Sequence, residues 1–145
     1  MEQSLVCSYV LLNDNAVVPK KNNESDSGYD VTLLGISKTY GKTILCHTGL
    51  AIKPPDGYYF DLVPRSSIVK TGYIQTNGVG IIDADYRGEI LVPLTKIDEN
   101  AEDLKFPIRL SQLIPRKVYY MNMELVSNLN ETRRSDKGFG SSGSI

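Results

Sequence analysis

The chain has 145 residues, of which 41% are apolar and 23% charged, proportions typical of one globular domain. Its 16 basic and 17 acidic side chains nearly cancel, so overall charge gives no reason to expect nucleic-acid or membrane binding. No apolar run is long enough to cross a membrane, and the N-terminus has no basic region and carries Glu2 early. We therefore expect no secretion signal and a cytoplasmic or nuclear location.

Short apolar segments separated by turn residues make up most of the chain, and they are rich in Val, Ile, Tyr and Thr. They predict strands at residues 4–12, 30–34, 43–52, 58–63, 81–94, 106–114 and 117–126, with 81–94 forming a hairpin. "SSIVKTG" is the one candidate for a short helix, with Ser66 or Ser67 as its N-cap and Gly72 as its stop. The pattern predicts an all-β domain, either a barrel or a jelly-roll-like sandwich.

The two cysteines, Cys7 and Cys46, and the single histidine, His47, follow no metal-ligand spacing, so a structural zinc site is not expected. We interpret both cysteines as reduced residues that are buried or half-buried. Cys46 and His47 are adjacent on a predicted strand and should point to opposite faces, which argues against a catalytic pair.

The C-terminal residues differ in composition from the rest. Residues 131–145 are polar and glycine-rich, with one aromatic residue, Phe139. This composition predicts a flexible tail, and the lone Phe leaves open an arm that becomes ordered over a ligand. We therefore divide the chain into a β-barrel domain, residues 1–130, and a C-terminal arm, residues 131–145.

The motif "PRSS", residues 64–67, lies between a predicted strand and the candidate helix. A helix start offers free backbone N–H groups, and Arg65 and Ser66 would add a guanidinium and a hydroxyl, a combination that suits phosphate. A plain helix start with a surface arginine explains these four residues equally well.

Two more motifs place polar residues on strands. "SGYD" ends with Asp30 at the start of a strand, and "RLSQL" places Arg109 and Gln112 within an apolar strand. Each is explained by a turn or by a structural hydrogen bond. "RRSDKGFGSSG", residues 133–143, is similar to a glycine-rich phosphate loop, although most such runs are merely flexible.

The most specific motif is "NGVGIIDADYRGE", which places Asp83, Asp85, Tyr86 and Gly88 at the tip of the predicted hairpin. Five motifs follow one another from residue 27 to residue 143, in the order "SGYD", "PRSS", "NGVGIIDADYRGE", "RLSQL" and "RRSDKGFGSSG". With these motifs in this order, the sequence resembles the trimeric dUTPases, the dUTP nucleotidohydrolases. The resemblance implies a jelly-roll-like β-barrel of the β-clip type that forms a homotrimer. It also implies hydrolysis of dUTP to dUMP and pyrophosphate with magnesium (Mg2+) as the cofactor.

The resemblance also assigns roles to the hairpin residues. Asp83 would orient and deprotonate the attacking water, and the Tyr86 ring would lie under the deoxyribose, where it would clash with a ribose 2′-OH. The uracil would be surrounded by Asn77, Gly80, Ile81, Ile82 and Leu91. In the family, the hairpin and the phosphate motifs of one site come from different subunits, and a third subunit supplies the arm.

The same resemblance assigns the remaining site residues. Asp30 would act on magnesium through a water, and Arg109 would have either a structural role or a phosphate contact. The phosphates would be held by Arg65, Ser66, Ser67 and Gln112. In the arm, Phe139 would cover the uracil, alongside Arg134, and the γ-phosphate would be wrapped by Gly140, Ser141 and Ser142.

Three positions depart from the family pattern, because Ser67, Ser135 and Lys137 stand where it usually has glycine. Two other functions therefore remain open. One is a dCTP deaminase of the same fold, which shares an "RSS"-like motif but needs a glutamate base that the hairpin lacks. The other is a non-catalytic dUTP-binding regulatory protein.

Overall fold

The computed structural model describes residues 5–140 and contains, within them, ten strands and one short 3-10 helix. The helix spans Ser66–Lys70. The strands are β1 (Ser8–Leu11), β2 (Tyr29–Leu33), β3 (Gly35–Tyr40), β4 (Thr43–His47), β5 (Leu50–Lys53), β6 (Tyr58–Pro64), β7 (Tyr73–Gln75), β8 (Gly80–Ile82), β9 (Leu91–Lys96) and β10 (Ile108–Lys117).

The strands form three antiparallel sheets. Two have four strands each, in the orders β2-β10-β6-β8 and β3-β4-β9-β7, and a third pairs β1 with β5. One apolar core joins the two larger sheets, with Val31, Leu62 and Leu113 from the first and Cys46, Val92 and Leu94 from the second. The predicted all-β, jelly-roll-like architecture is confirmed.

Strand β9 shows how the sequence specifies this core. Val92 and Leu94 are fully buried, whereas Pro93 and Thr95 between them are only half-buried. The period of two sends alternate side chains to opposite faces of the sheet. Each buried aliphatic side chain contributes about 1.5–3 kcal/mol to folding relative to an exposed one.

Several strand predictions are corrected by the structure. Residues 43–52 form two strands, because Gly49 breaks the run with a φ of 67°. Residues 81–94 do not form a paired hairpin, because β8 joins β6 in one sheet and β9 joins β4 in the other. β3 and β7 were not predicted, since β3 is almost wholly exposed and β7 has only three residues.

The predicted strand at residues 117–126 is wrong. Only Lys117 belongs to a strand, the end of β10, and the described residues beyond it form neither helix nor strand. Tyr120 and Leu125 are 89% and 99% exposed. The segment has the composition of a strand, but a strand requires a neighbouring edge to pair with. The boundary between a barrel domain and an arm at residue 130 stays a prediction.

The helix prediction is correct in position but wrong in its cap. Arg65, not a serine, is the N-cap, and it makes no side-chain capping bond. The stop is correct, since Gly72 follows the helix with a φ of 78°, a left-handed conformation that glycine adopts without strain. Within residues 5–140, no helix is long and apolar enough to span a membrane.

The cysteines differ in environment. Cys46 is buried, and its burial raises the pKa of the thiol to about 11, so the reactive thiolate is scarce at neutral pH. His47, its neighbour, is only half-buried, as expected for residues on opposite faces of a strand. Cys7 is exposed, contrary to the prediction that it would be buried or half-buried.

Gly49 allows residues 13–16 and the side chain of Leu34 to approach the β4–β5 turn closely. A Cβ at this position would lie 2.8 Å from both Ala16 Cβ and Asn13 Nδ2. The substitution Gly49→Ala should therefore lower the free energy of unfolding by about 2–4 kcal/mol, through a strained left-handed backbone and overpacking. Urea denaturation at a fixed protein concentration measures this change.

Gly35→Ala is the matched control, because a Cβ there meets no atom within 4 Å and the backbone is not left-handed. Its free energy of unfolding should stay within about 0.5 kcal/mol of the unaltered chain. Equal losses in the two variants would contradict this explanation of Gly49.

Candidate active site

Three of the sequence motifs meet at one place on the first four-stranded sheet. Gln112 on β10 pairs in register with Asp30 on one side and with Val63 on the other. Arg65 follows β6 and reaches back over the sheet, where its Nε forms an ion pair of 3.0 Å with Asp30 Oδ1. The motifs "SGYD", "PRSS" and "RLSQL" thus form a single cluster, here called the phosphate-motif cluster.

Hydrogen bonds to the backbone fix the side chains of this cluster. Arg65 Nη1 donates to the carbonyl of Arg109 at 2.8 Å, and Gln112 Nε2 donates to the carbonyl of Pro64 at 3.1 Å. Ser67 Oγ donates weakly to the same Arg109 carbonyl at 3.4 Å. The Arg109 backbone therefore has a structural role. Ser66 lies exposed at the start of the 3-10 helix.

Asp30 has an incomplete set of hydrogen-bond partners. Its side chain is 8% exposed, and Oδ2 is buried without a donor among the described residues. It lines a cavity of about 290 Å³, together with Lys20, Thr32 and Arg109. A buried carboxylate oxygen without a donor is costly, so Asp30 Oδ2 is suited to accept a hydrogen bond from a ligand or a bound water.

A second site lies between β8 and β9, where a cavity of about 200 Å³ opens. β8 is the outer strand of its sheet, and β9 belongs to the opposite sheet, so the two strands diverge. The outer edge of β8 consequently has no strand partner in the described chain. Its backbone groups are available to a planar polar ligand. The cavity is lined by Ile81, Ile82, Asp83, Tyr86, Glu89, Ile90 and Leu91.

A tight turn places Asp83 and Tyr86 on the same cavity. The Tyr86 N–H donates to the carbonyl of Asp83 at 3.1 Å, and Tyr86 Oη donates to the carbonyl of Glu89 at 2.7 Å. Gly88 leaves room for this hydroxyl, because a Cβ at this position would lie 2.5 Å from Tyr86 Oη and the ring would have to shift. The result is an exposed carboxylate beside an aromatic wall, a combination suited to hydrolysis of a bound ligand.

Gln75 is a site-supporting residue that the sequence analysis missed. It is buried, and its Nε2 lies 3.0 Å from Asn77 Oδ1 and 2.8 Å from the carbonyl of Leu62. Its Oε1 accepts a hydrogen bond from Ser111 at 2.9 Å. Gln75 therefore orients Asn77 beside Gly80. The polar "QTN" run after Ile74 was the available signal, but β7 itself was not predicted.

The arm residues that the structure describes, 131–140, are not brought to either cluster within one chain. Arg134 Nε donates to the carbonyl of Lys137 within a local turn, and Phe139 is fully exposed. Ser135 has a φ of 51°, a conformation in which glycine is less strained. Ser141 and Ser142 lie outside the described residues, and the binding roles of the arm stay predictions.

Known proteins share both the sequence family and the fold of this chain. A family model described as dUTPase matches residues 14–143. The deoxyuridine 5'-triphosphate nucleotidohydrolase of Leptospira interrogans is 35% identical over 137 residues, covering 91% of this chain and 94% of that protein.

Solved structures share the fold. One is a mutant dUTPase of Staphylococcus bacteriophage 80alpha with dUpNHpp, with a TM-score of 0.76 and 22% identity, covering 95% of this chain and 98% of that chain. Another is a mutant dUTPase of phage phi11 of S. aureus, which is described with a structural Mg(II) ion. Its TM-score is 0.68 at 19% identity, and the match covers 85% of this chain and 97% of that chain. From the family match and the relative together, the chain belongs to the dUTPase family.

Proposed function

We propose that this protein hydrolyses dUTP to dUMP and pyrophosphate, in a site that holds the nucleoside between β8 and β9. The observation that carries the proposal is the cavity between these strands, which has Asp83 at its rim and Tyr86 as a wall. The name of the relative from Leptospira interrogans supports the same reaction.

The unpaired outer edge of β8 supports recognition of the base. Backbone N–H and C=O groups would pair with the polar edge of uracil, with Asn77 alongside. A cytosine presents the wrong donor pattern and would leave buried polar groups unpaired, which discriminates strongly. The ring of Tyr86, held by its bond to the Glu89 carbonyl, would exclude a ribose 2′-OH.

Asp83 would act as the general base. Cleavage between the α and β phosphates requires a water aimed at phosphorus, a base near it, and neutralisation of phosphate charge. Asp83 lines the nucleoside cavity and is exposed in the single chain, so its carboxylate is free to orient such a water. The water's proton would pass to the Asp83 carboxylate as the new P–O bond forms.

The phosphate-motif cluster would hold the triphosphate. Arg65 is oriented by Asp30 and by the carbonyl of Arg109, and in the described chain no hydrogen bond occupies its Nη2. That Nη2 group would donate to a phosphate oxygen. The exposed hydroxyl of Ser66 and the side chain of Gln112 would add further contacts.

Magnesium fits this site as an ion carried on the phosphates. Among the described residues, no group of three or more His, Cys, Asp or Glu side chains could hold a metal. The Oδ2 atom of Asp30 is a hard oxygen without a donor, suited to contact a metal-bound water. When bound, magnesium would neutralise phosphate charge and orient the three phosphates.

A homotrimer with sites between subunits would bring the separate parts together. The nucleoside cavity and the phosphate-motif cluster share no residue, and residues 131–140, the described part of the arm, form no hydrogen bond or ion pair with either. Large apolar side chains are also exposed, which is unusual for a monomer. They include Leu5, Val6, Tyr9, Val10, Leu11 and Leu12 near the N-terminus, and Tyr119, Tyr120, Met121, Met123, Leu125 and Leu129 after β10.

The reaction is tested by pyrophosphate release from dUTP, dTTP, dCTP and UTP, each with and without magnesium. We expect rapid release from dUTP alone, and a large loss when the metal is chelated. Ammonia release from dCTP would instead identify a deaminase. Binding of dUTP without pyrophosphate release would identify a regulatory protein.

Asp83→Asn tests the base. The substitution preserves shape but removes the proton acceptor, so kcat should fall by about 10²–10⁴-fold while dUTP binding remains. Single-turnover kinetics and calorimetry with a non-hydrolysable analogue separate the two effects. Asp56→Asn, in the exposed turn before β6, is the matched control and should keep full activity. Unchanged kcat in Asp83→Asn would overturn the assignment.

Truncation after Asn130 tests the arm. Because residues 131–140 make no contact with the barrel strands through hydrogen bonds or ion pairs, folding and oligomeric state should be retained. The value of kcat/KM should fall on the order of 10²-fold through loss of water exclusion and positioning. Phe139→Ala in the full chain should reproduce part of the loss. Full activity of the truncated protein would exclude the arm from the site.

A further inference from the structure

Glu89 connects the nucleoside cavity to the body of the barrel. Its carboxylate accepts a hydrogen bond from the Gly49 N–H at 2.9 Å, and both of its oxygens lie 3.1 Å from Nδ1 of His47. Its main-chain carbonyl accepts the Tyr86 hydroxyl at 2.7 Å. One residue therefore contacts the β4–β5 turn through its side chain and the cavity wall through its backbone.

Neighbouring bonds make this connection rigid. Thr48 Oγ1 donates to the carbonyl of Ile90 at 2.6 Å, and the Ile90 N–H donates to the carbonyl of Leu50 at 2.8 Å. Thr48, Leu50 and Ile90 are all buried. Residues 89 and 90 are thus attached to residues 47–50 by side-chain and backbone bonds, and their positions are set by the core.

Residues 83–88, which form the part of the cavity wall that carries Tyr86, have few contacts with the barrel core. Residues 83–88 are all exposed, and the hydroxyl of Tyr86 bonds to the Glu89 carbonyl. The tyrosine ring is long and stiff, so a shift of this carbonyl would move the ring relative to the cavity. Gly88 already brings the backbone against the hydroxyl, where no Cβ would fit without displacement.

We propose that Glu89 is a positioning residue, clamped by His47 and Gly49, which holds Tyr86 in place and thereby sets the selectivity for deoxyribose over ribose nucleotides. The inference rests on the proposed function, in which the Tyr86 ring lies under the sugar. A carboxylate that accepts a backbone N–H and lies beside an imidazole is held more firmly than one in water. Glu89 need not touch the substrate to have this effect.

The test measures the ratio of kcat/KM for dUTP to kcat/KM for UTP. In Glu89→Ala this ratio should fall about tenfold, the change expected from losing a charge-assisted hydrogen bond that holds the wall. Because Glu89 also lines the cavity, the readout is this ratio and not the absolute kcat for dUTP, since a general loss of binding lowers kcat/KM for both nucleotides and leaves the ratio unchanged. Glu89→Gln keeps an acceptor for the Gly49 N–H and replaces the second oxygen with an NH2 donor, which pairs with His47 Nδ1 in the tautomer that carries its proton on Nε2, so it should restore the ratio.

A second pair of variants removes only the imidazole. His47→Ala should lower the ratio in the same direction, and His47→Asn should restore it, since the Asn amide nitrogen occupies nearly the position of Nδ1. The His47 side chain is 42% exposed, so these variants should fold even where Glu89→Ala does not. Glu99→Ala is the matched control, because its only described ion pair joins exposed side chains far from the cavity wall.

An unchanged ratio in Glu89→Ala and His47→Ala, or an equal fall in Glu99→Ala, would overturn the inference. If the unaltered chain releases no pyrophosphate from dUTP, the proposed function fails, and the inference is judged by calorimetric affinities for dUDP and UDP. A preference for dUDP that disappears in Glu89→Ala supports it. Equal affinity of the unaltered chain for both nucleotides, or binding of neither, overturns it.

Discussion

The assignment of β8 and β9 to opposite sheets is the constraint on which the candidate site depends. β8 pairs with β6, where Gly80 lies opposite Leu62, and β9 pairs with β4 while burying Val92 and Leu94. β9 already pairs with β4 on one side and with β7 on the other, so a closed hairpin between β8 and β9 would break one of these two ladders. The intervening residues must therefore cross between sheets, and the cavity and its unpaired strand edge are the consequence.

Buried polar groups around this crossing are supported by contacts distant in sequence. Gln75 reaches the carbonyl of Leu62 and the hydroxyl of Ser111, and Asp30 is held by Arg65. An unpaired buried oxygen alone does not identify a functional group, because Asp61 Oδ1 has the same property beside Arg116. Asp30 differs because three motifs converge on it and because it borders a cavity.

The sequence was informative wherever local chemistry decides the structure. The apolar segment at residues 81–94 placed strand residues over β8 and most of β9, and the motifs located Asp83, Tyr86 and Arg65 without any knowledge of the sheets. Prediction from the sequence failed where contacts between residues distant in the chain decide the structure. The Glu89 carboxylate meets Gly49 40 residues away, and Ser111 meets Gln75 36 residues away, so neither contact leaves a local pattern. Two further features were not predicted for the same reason. They are the divergence of β8 and β9 and the lack of a strand after β10, and each depends on which strand edges are available for pairing.

The exposed segment after β10 bears on how the site could be completed. It has the composition of a strand but pairs with no strand edge among the described residues, and the described part of the arm, residues 131–140, makes only local hydrogen bonds. In the proposed trimer these residues would find apolar surface and strand edges on neighbouring subunits, and their burial would favour assembly. Assembly would then also bring the nucleoside cavity of one subunit to the phosphate-motif cluster of another. On this view the exposed apolar residues and the divided site are linked. A site divided between subunits forms only when the subunits associate, and burial of these apolar residues would drive that association.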